Sequence, residues 1–384
     1  MKLKAIFITL LIVSFYSNSY SKDIKVRLFS NKNLFTVNLY AKNDDYIILD
    51  NKKFKDIQVS IDNSKIKIKS NNSIKSIKKA EFKGNSLIFI KTPNNERAYY
   101  GKILIENEKG RLKIINEIDL EKYLESVVYS ETTDLSYFEA YKAHSVIART
   151  YTLKAINRHI KNGYNLCDNT HCQLYLGFKN VKPEIIKAVK STSGEILVYR
   201  GQPIWAFYHS ICGGATEDSE NVWGYEKKEY LQSVVDGSRE RPYCFNAPGF
   251  KWRTKIAKNK FQAFIEKYIF KNKDILTEII ISSRTSSGRI KDLIFKSKNQ
   301  SRDIKSVEFY HYIGKYFGWD AVRSTNFKIY YDKKYIIFEG FGNGHGVGLC
   351  QHGADEMAKL GYNYKQILFH YYKNVKLIRL KENI

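Results

Sequence analysis

No apolar run near the start of the chain is long enough to cross a bilayer comfortably. The candidate, Ala5 to Phe15, falls short of the about 20 apolar residues that a spanning helix needs. Lys2 and Lys4 precede it, and Ser19-Tyr20-Ser21 follows as a small-x-small site before Lys22. Residues 1–21 therefore read as a cleaved export signal. The mature chain is expected in the periplasm or at the cell wall, without a stable membrane span. Acidic residues are also scarce, 39 Asp and Glu against 64 Lys and Arg, for a formal charge of +25. Inside a cell that excess would favour nucleic acid; after export an anionic envelope component is the expected partner and nucleic acid is not. The lysines are scattered, and Lys, Ile, Asn, Tyr and Phe are all abundant, as in AT-rich coding, so part of the charge reads as compositional. There is no internal repeat, which excludes a solenoid, and no low-complexity linker. The glycines of 342–353 are followed by neither a Lys-Ser/Thr pair nor a dinucleotide-type βαβ unit, which excludes a phosphate loop.

What is present divides into two textures, and 384 residues leave room for two domains. Residues 22–96 read as short strands, with alternation in Phe35–Tyr40, Ile57–Ile61 and Ile66–Lys69 broken by Asn and Asp. They contain neither Cys nor His, so a small β domain with a targeting or spacer role is expected. Residues 97–380 read as strands (Tyr99 to Glu106, Leu112 to Ile115), a long helix, a helix near Glu184 to Ser191 and strands at Glu195 to Arg200 and Trp205 to Ser210. Short helices around Ala354 to Leu360 and Tyr364 to Tyr372 follow. The fold class expected is α+β: mixed sheets with a long buried helix and short C-terminal helices, preceded by the small β domain.

One acid stands out, Glu131. It precedes the segment Ser136 to His159, where Ser136 and Glu139 have capping-box spacing and Ala140, Ala143, Ile147, Tyr151 and Ala155 recur at helical intervals. A turn entering a buried helix can desolvate a carboxylate and raise its pKa, which lets it donate a proton near neutral pH. An isolated Glu before a helix is usually solvated, so the rest of the chain must argue for it. Asp134 and Glu139 are the nearby acids that would make a two-carboxylate site, and Asp134 reads first as a helix-entry residue. Arg149, if it faces inward, must pair with an acid or with glycan oxygens, the structural pair being the commoner case.

Glycines let a backbone approach a sugar closely. Gly213 and Gly214 in Cys212–Glu217, and the 342–353 segment with His345, Gln351 and His352, are candidate cleft walls. Tight turns between strands account for at least half of these glycines. Tyr208 and Trp223 are candidates for stacking on sugar faces, although aromatic residues this abundant are mostly core. Cys167-Asp-Asn-Thr-His171-Cys172, with His159 as a fourth ligand, suits a closed tetrahedral zinc site of structural type. A Cys167–Cys172 disulfide is the alternative in an exported protein. Cys212 and Cys244 are the expected disulfide among the rest, which leaves Cys350 single.

Several separated motifs then occur in one order: Asn116–Leu124, Ser130-Glu131, Lys142–Tyr151, Ser210–Glu217 with Val222-Trp-Gly224, and Gly344–Gly353 with Ile367–Tyr372. Over about residues 97–378 the chain resembles the SpoIID/LytB family of bacterial cell-wall proteins. The resemblance implies a peptidoglycan lytic transglycosylase of the SpoIID type, with Glu131 as its catalytic acid, acting on glycan strands stripped of stem peptides by a partner amidase. The rival that it also admits is the LytB-type role, a non-catalytic activator of that amidase, against which the retained Glu131 argues. It implies zinc at the Cys/His cluster, as in some members of the SpoIID branch. This chain departs from the familiar S-E-M-P form, having Thr132-Thr133 after the acid, and carries Cys350 where the family often has Ser.

Overall fold

The computed structural model describes residues 23–70, 73–224, 227–238 and 240–380; the expected export signal lies outside them. The fold is α+β, with mixed sheets and a long central helix. Alternating residues build the first sheet. Along Asp23–Leu28, Ile24, Val26 and Leu28 turn inward while Asp23 and Lys25 face solvent, the period of two that a pleated strand imposes. This strand pairs antiparallel with Arg111–Asp119, Val26 facing Asn116, and parallel with Leu166–Cys167. Lys79–Gly84 pairs with Lys102–Glu108, and with Ile47–Leu49 and Lys52–Phe54 the described strands complete a seven-stranded sheet.

A six-stranded sheet runs from Asn95–Tyr99 through Ile88–Thr92, Thr36–Tyr40, Asp56–Asp62 and Lys65–Ser70 to Ser73–Ile77. One apolar cluster joins both sheets to the helices, from Ile24 through Val59, Phe82 and Tyr123 to Val189. The first sheet thus runs across the boundary expected near residue 97, because strands on either side of it bury a common face.

Helix α1 spans Leu120–Glu131. Asp119 caps it by accepting from Lys122 N at 3.0 Å, and Leu120, Tyr123, Leu124, Val127 and Val128 recur at helical spacing on its buried face. Helix α2, Phe138–Lys154, is enclosed nearly all round, with Ala143 through Thr152 buried without interruption. Its start corrects an expectation: Ser136 and Glu139 form no capping box. Instead Asp355, from the helix Gln351–Lys359, accepts from Ser136 N at 3.0 Å and Tyr137 N at 2.9 Å. Glu139 binds Lys142 Nζ at 2.8 Å and Tyr364 N at 2.7 Å. Donors at a helix start need acceptors, and a distant side chain supplies them here.

A second core packs α2 against Leu197, Ile211, Leu349, Ile367 and Tyr371. A third, around Phe261, Phe264, Phe295, Phe309 and Phe338, belongs to a unit within the expected 97–380 region. Its ends lie side by side, Lys251–Ala257 pairing antiparallel with Tyr335–Phe341. An insertion with adjacent ends extends the fold without disturbing the parent core.

Candidate functional site around Glu131

Glu131 is the last residue of α1, which corrects its expected place in the turn entering α2. The buried face of α1 sets its height, and two other segments, residues 174–176 and Gln351, close on it. Leu174 N donates to Glu131 Oε1 at 2.7 Å, Leu176 N donates to Ser130 Oγ at 3.2 Å, and Gln351 Nε2 donates to the Glu131 carbonyl at 2.8 Å. The turn after the acid holds without Met-Pro. Thr132 N donates to Val128 O at 3.0 Å, Leu135 N donates to Thr132 O at 3.1 Å, and the Thr132 hydroxyl bonds back to Val128 O.

Burial pushes the Glu131 carboxyl above its ordinary range, opposed by hydrogen bonds from Leu174 N–H and the Tyr208 hydroxyl. Desolvation dominates because a charged carboxylate loses more hydration than two donors restore. Tyr208 comes from the short strand Tyr208–His209, which pairs parallel with Leu349–Cys350. Its ring meets His144 of α2 edge-on at 4.6 Å, and Gln173 Nε2 lies 3.5 Å from its hydroxyl. His144 is 1% exposed, neither ring nitrogen has a hydrogen-bond partner, and burial drives its pKa down to about 3.

Of the residues expected here, Tyr208 and Gln351 join Glu131, while Trp223 and His345 belong to an aromatic group around Phe207, the residue before Tyr208. Phe207 links them, its ring 4.4 Å from Trp223 and 5.8 Å from Trp205. His345 stands 5.2 Å from Trp223, and burial lowers its pKa to about 4. Trp223 and His345 also line a cavity of about 360 Å³ whose far wall is Tyr310 and His311 of the inserted unit. His352 donates its backbone N–H to Ser210 O at 3.2 Å, and burial lowers its ring pKa, with Asp134 and Asp355 opposing.

Gly213 brings chain segments together: a Cβ there would lie 2.9 Å from the Phe341 carbonyl. Gly214, at φ +121°, has open space around it. Arg149 is not brought to the site. It is fully buried, bidentate to Glu121 at 2.7 Å through both Nε and Nη2, and its Nη1 reaches Glu195 O at 3.1 Å. Asp134 is exposed. Sequence reasoning missed Leu174, Gln173, His144, Trp205 and Phe207. The readable signals were the alternation of Trp205 and Phe207 and the Lys142–Tyr151 motif that contains His144.

His159, Cys167, His171 and Cys172 converge, with their ligand atoms within 4.8 Å of one another. Cys172 Sγ is 3.5 Å from His159 Nε2 and 3.7 Å from His171 Nδ1, and Cys167 Sγ is 3.6 Å from His171 Nδ1. Tetrahedral zinc with Zn–S near 2.3 Å and Zn–N near 2.0 Å places S and N about 3.5 Å apart, so these residues fit the ion. Such an ion would be structural, with all four positions taken by protein. Arg158 donates to His171 O and, at 2.8 Å, to Tyr151 OH, and lies 5.6 Å from the Trp205 ring. The cluster therefore adjoins the aromatic wall, and its Cys172 is two residues from the N–H that holds Glu131.

Glu131, at the end of a helix and desolvated by burial, keeps its proton to higher pH than a solvated carboxyl does. Residues 108–199 match the family described as stage II sporulation protein, SpoIID, and residues 242–348 match one described as a domain of unknown function, DUF8618. An uncharacterized protein of Brachyspira hyodysenteriae is 31% identical over 281 residues, covering 73% of this chain and 72% of the relative. Stage II sporulation protein D of Bacillus subtilis is 28% identical over 279 residues, covering 68% and 75%. An amidase enhancer of Bacillus subtilis is 26% identical over 294 residues, covering 66% of this chain but 40% of that protein. The chain belongs to the SpoIID/LytB family, and its role is related to the cell wall. The inserted unit with its own core coincides with the second match.

Proposed function

We propose that the chain is an exported peptidoglycan lytic transglycosylase that cleaves the MurNAc–GlcNAc bond, with Glu131 acting first as acid and then as base. The supporting observation is a single desolvated carboxyl. Its pKa is raised by burial, while Asp134 is exposed and Glu139 is committed to Lys142 and Tyr364. Hydrolysis that inverts or retains configuration commonly needs two carboxylates at a set separation. One suffices when the nucleophile belongs to the substrate.

The Glu131 carboxyl gives its proton to the glycosidic oxygen as that bond to C1 breaks. The carboxylate then takes the proton of the MurNAc C6 hydroxyl as its oxygen bonds to C1, closing a 1,6-anhydro ring and restoring the acid. Holding that hydroxyl within the same sugar supplies the effective molarity that an activated water would lack. Trp205, Phe207 and Trp223 pack on one another as a half-buried aromatic run, and a free ring face there would stack on a sugar. Strands stripped of stem peptides are the substrate that the family membership favours.

The test is product analysis by mass spectrometry on such strands. The wild type releases 1,6-anhydro-MurNAc ends, and Glu131→Gln slows that release by about 10²–10⁴-fold. Equal release by both proteins defeats the proposal. The similarity to an amidase enhancer supports a second reading, a glycan-gripping activator. In that case both proteins stimulate a partner amidase alike and neither forms anhydro ends.

A further inference from the structure

Cys212, Cys244 and Cys350 come together around Asp236 in a second, fully buried cluster that begins at the residue before the Gly213-Gly214 segment. The four ligand atoms lie within 4.8 Å of one another. Cys212 Sγ is 3.4 Å from Cys244 Sγ and 3.2 Å from Asp236 Oδ2. A tetrahedral zinc ion with ligands near 2.3 Å for sulfur and 2.0 Å for oxygen sets sulfurs about 3.8 Å apart and sulfur from oxygen about 3.5 Å. Those two pairs differ from such geometry by only a few tenths of an ångström, and the remaining pairs stay within 4.8 Å.

The surroundings are built for negative sulfur. Cys350 Sγ accepts from Cys212 N at 3.2 Å and Gly353 N at 3.4 Å, and Cys212 Sγ accepts from Gly214 N at 3.4 Å. Cys350 is also the N-cap of the nine-residue helix Gln351–Lys359, whose dipole favours negative charge there. The buried Arg289 donates to Cys212 O at 2.7 Å. Asp236 is oriented as metal-binding carboxylates are, its second oxygen held by Tyr371 OH and Cys244 N donating at 3.2 Å to the ligating one. Gly353 leaves room for it: a Cβ there would lie 2.6 Å from Asp236 Oδ1.

We propose that Cys212, Asp236, Cys244 and Cys350 hold a zinc-class divalent ion, a structural site separate from the His159/Cys167/His171/Cys172 cluster. Binding displaces the thiol protons to solvent, and four anionic ligands around a dication leave a net charge of minus two for the N–H donors, the helix terminus and Arg289 to offset. A Cys212–Cys244 disulfide accounts for two of the three sulfurs and leaves the Asp236 carboxylate buried without a cation, whereas a metal uses all four groups. The placement has a consequence. Cys244 stands at the entry of segment 242–348 and Cys350 just past its exit, so the ion staples both ends of the insertion to the Gly-Gly segment. Gln351, next to Cys350, is the residue that donates to the Glu131 carbonyl.

The test is metal content of the purified full-length chain in a Cys167→Ser/Cys172→Ser background, which disables the other cluster. One zinc per chain is expected, replaceable by cobalt with thiolate-to-cobalt charge-transfer absorption, and adding Asp236→Asn weakens binding at least about tenfold. Should the double variant fail to fold, the comparison is wild type against Asp236→Asn under competition with a chelator: loss of one metal equivalent at lower chelator concentration supports the site, and identical retention overturns it. Peptide mapping that finds Cys212 joined to Cys244 overturns it as well, as do three alkylatable thiols without metal. Glu131→Gln must retain the full metal content, which keeps this outcome separate from the fate of the catalytic proposal.

Discussion

His144 makes acid stability a direct probe of the site. Its imidazole is buried against Tyr208, and desolvation lowers its pKa from 6.5 to about 3. A depressed histidine pKa means that the unfolded chain takes up the proton first as pH falls below 6.5, while the native state cannot follow until about 3. Native stability is therefore whole above 6.5 and is lost progressively below it. Each pH unit in that window removes about 1.4 kcal/mol, so the loss at pH 5 is ~2 kcal/mol relative to pH 8. His144→Phe keeps a ring against Tyr208 and removes the titration. Urea unfolding at pH 8 and pH 5 should then show the variant losing ~2 kcal/mol less than wild type over that interval. His209, His345 and His370 have pKa values depressed in the same direction, but they are common to both proteins and cancel in the difference. Parallel losses in the two proteins would refute the assignment of a neutral, desolvated His144.

Glu121→Leu leaves the fully buried Arg149 guanidinium without its carboxylate, and unfolding measurements should show destabilisation of about 3–5 kcal/mol; a loss below 1 kcal/mol would mean that the carbonyls around Arg149 suffice. Tyr208→Phe removes a hydrogen bond that favours ionised Glu131, so the carboxyl pKa rises further. The alkaline limb of the pH–rate profile should then move to higher pH while kcat falls about tenfold, the worth of one hydrogen bond. A limb that stays in place would separate Tyr208 from the acid.

Much of the candidate site was legible because its signals are local. Ser130-Glu131, the His159 to Cys172 spacing and the two C-terminal helices each lie within a short window. Even the correction to Glu131 was there to be read, since Asp119 is a strong cap and Leu120, Tyr123, Leu124, Val127 and Val128 follow a helical stripe. The apparent capping box at Ser136 misled because spacing alone cannot reveal that Glu139 is taken by Lys142 and Tyr364 N, or that Asp355 arrives from over 200 residues away.

By itself the sequence determined which groups are available: one acid in a recurring motif, a ligand set of two Cys and two His, glycine-rich segments and strands of period two. These follow from residue chemistry and short-range periodicity, which a linear chain carries intact. Tertiary structure alone decided what each group faces. It drew the N-terminal strands into one sheet with Arg111–Asp119, seated Arg149 on Glu121 instead of beside the acid, and brought Leu174 N–H and Gln351 onto Glu131. It also gathered Asp236 with three cysteines drawn from across the insertion. The physical reason is common to all of these: desolvation and hydrogen bonding depend on neighbours in space, and folding brings those neighbours from distant parts of the chain.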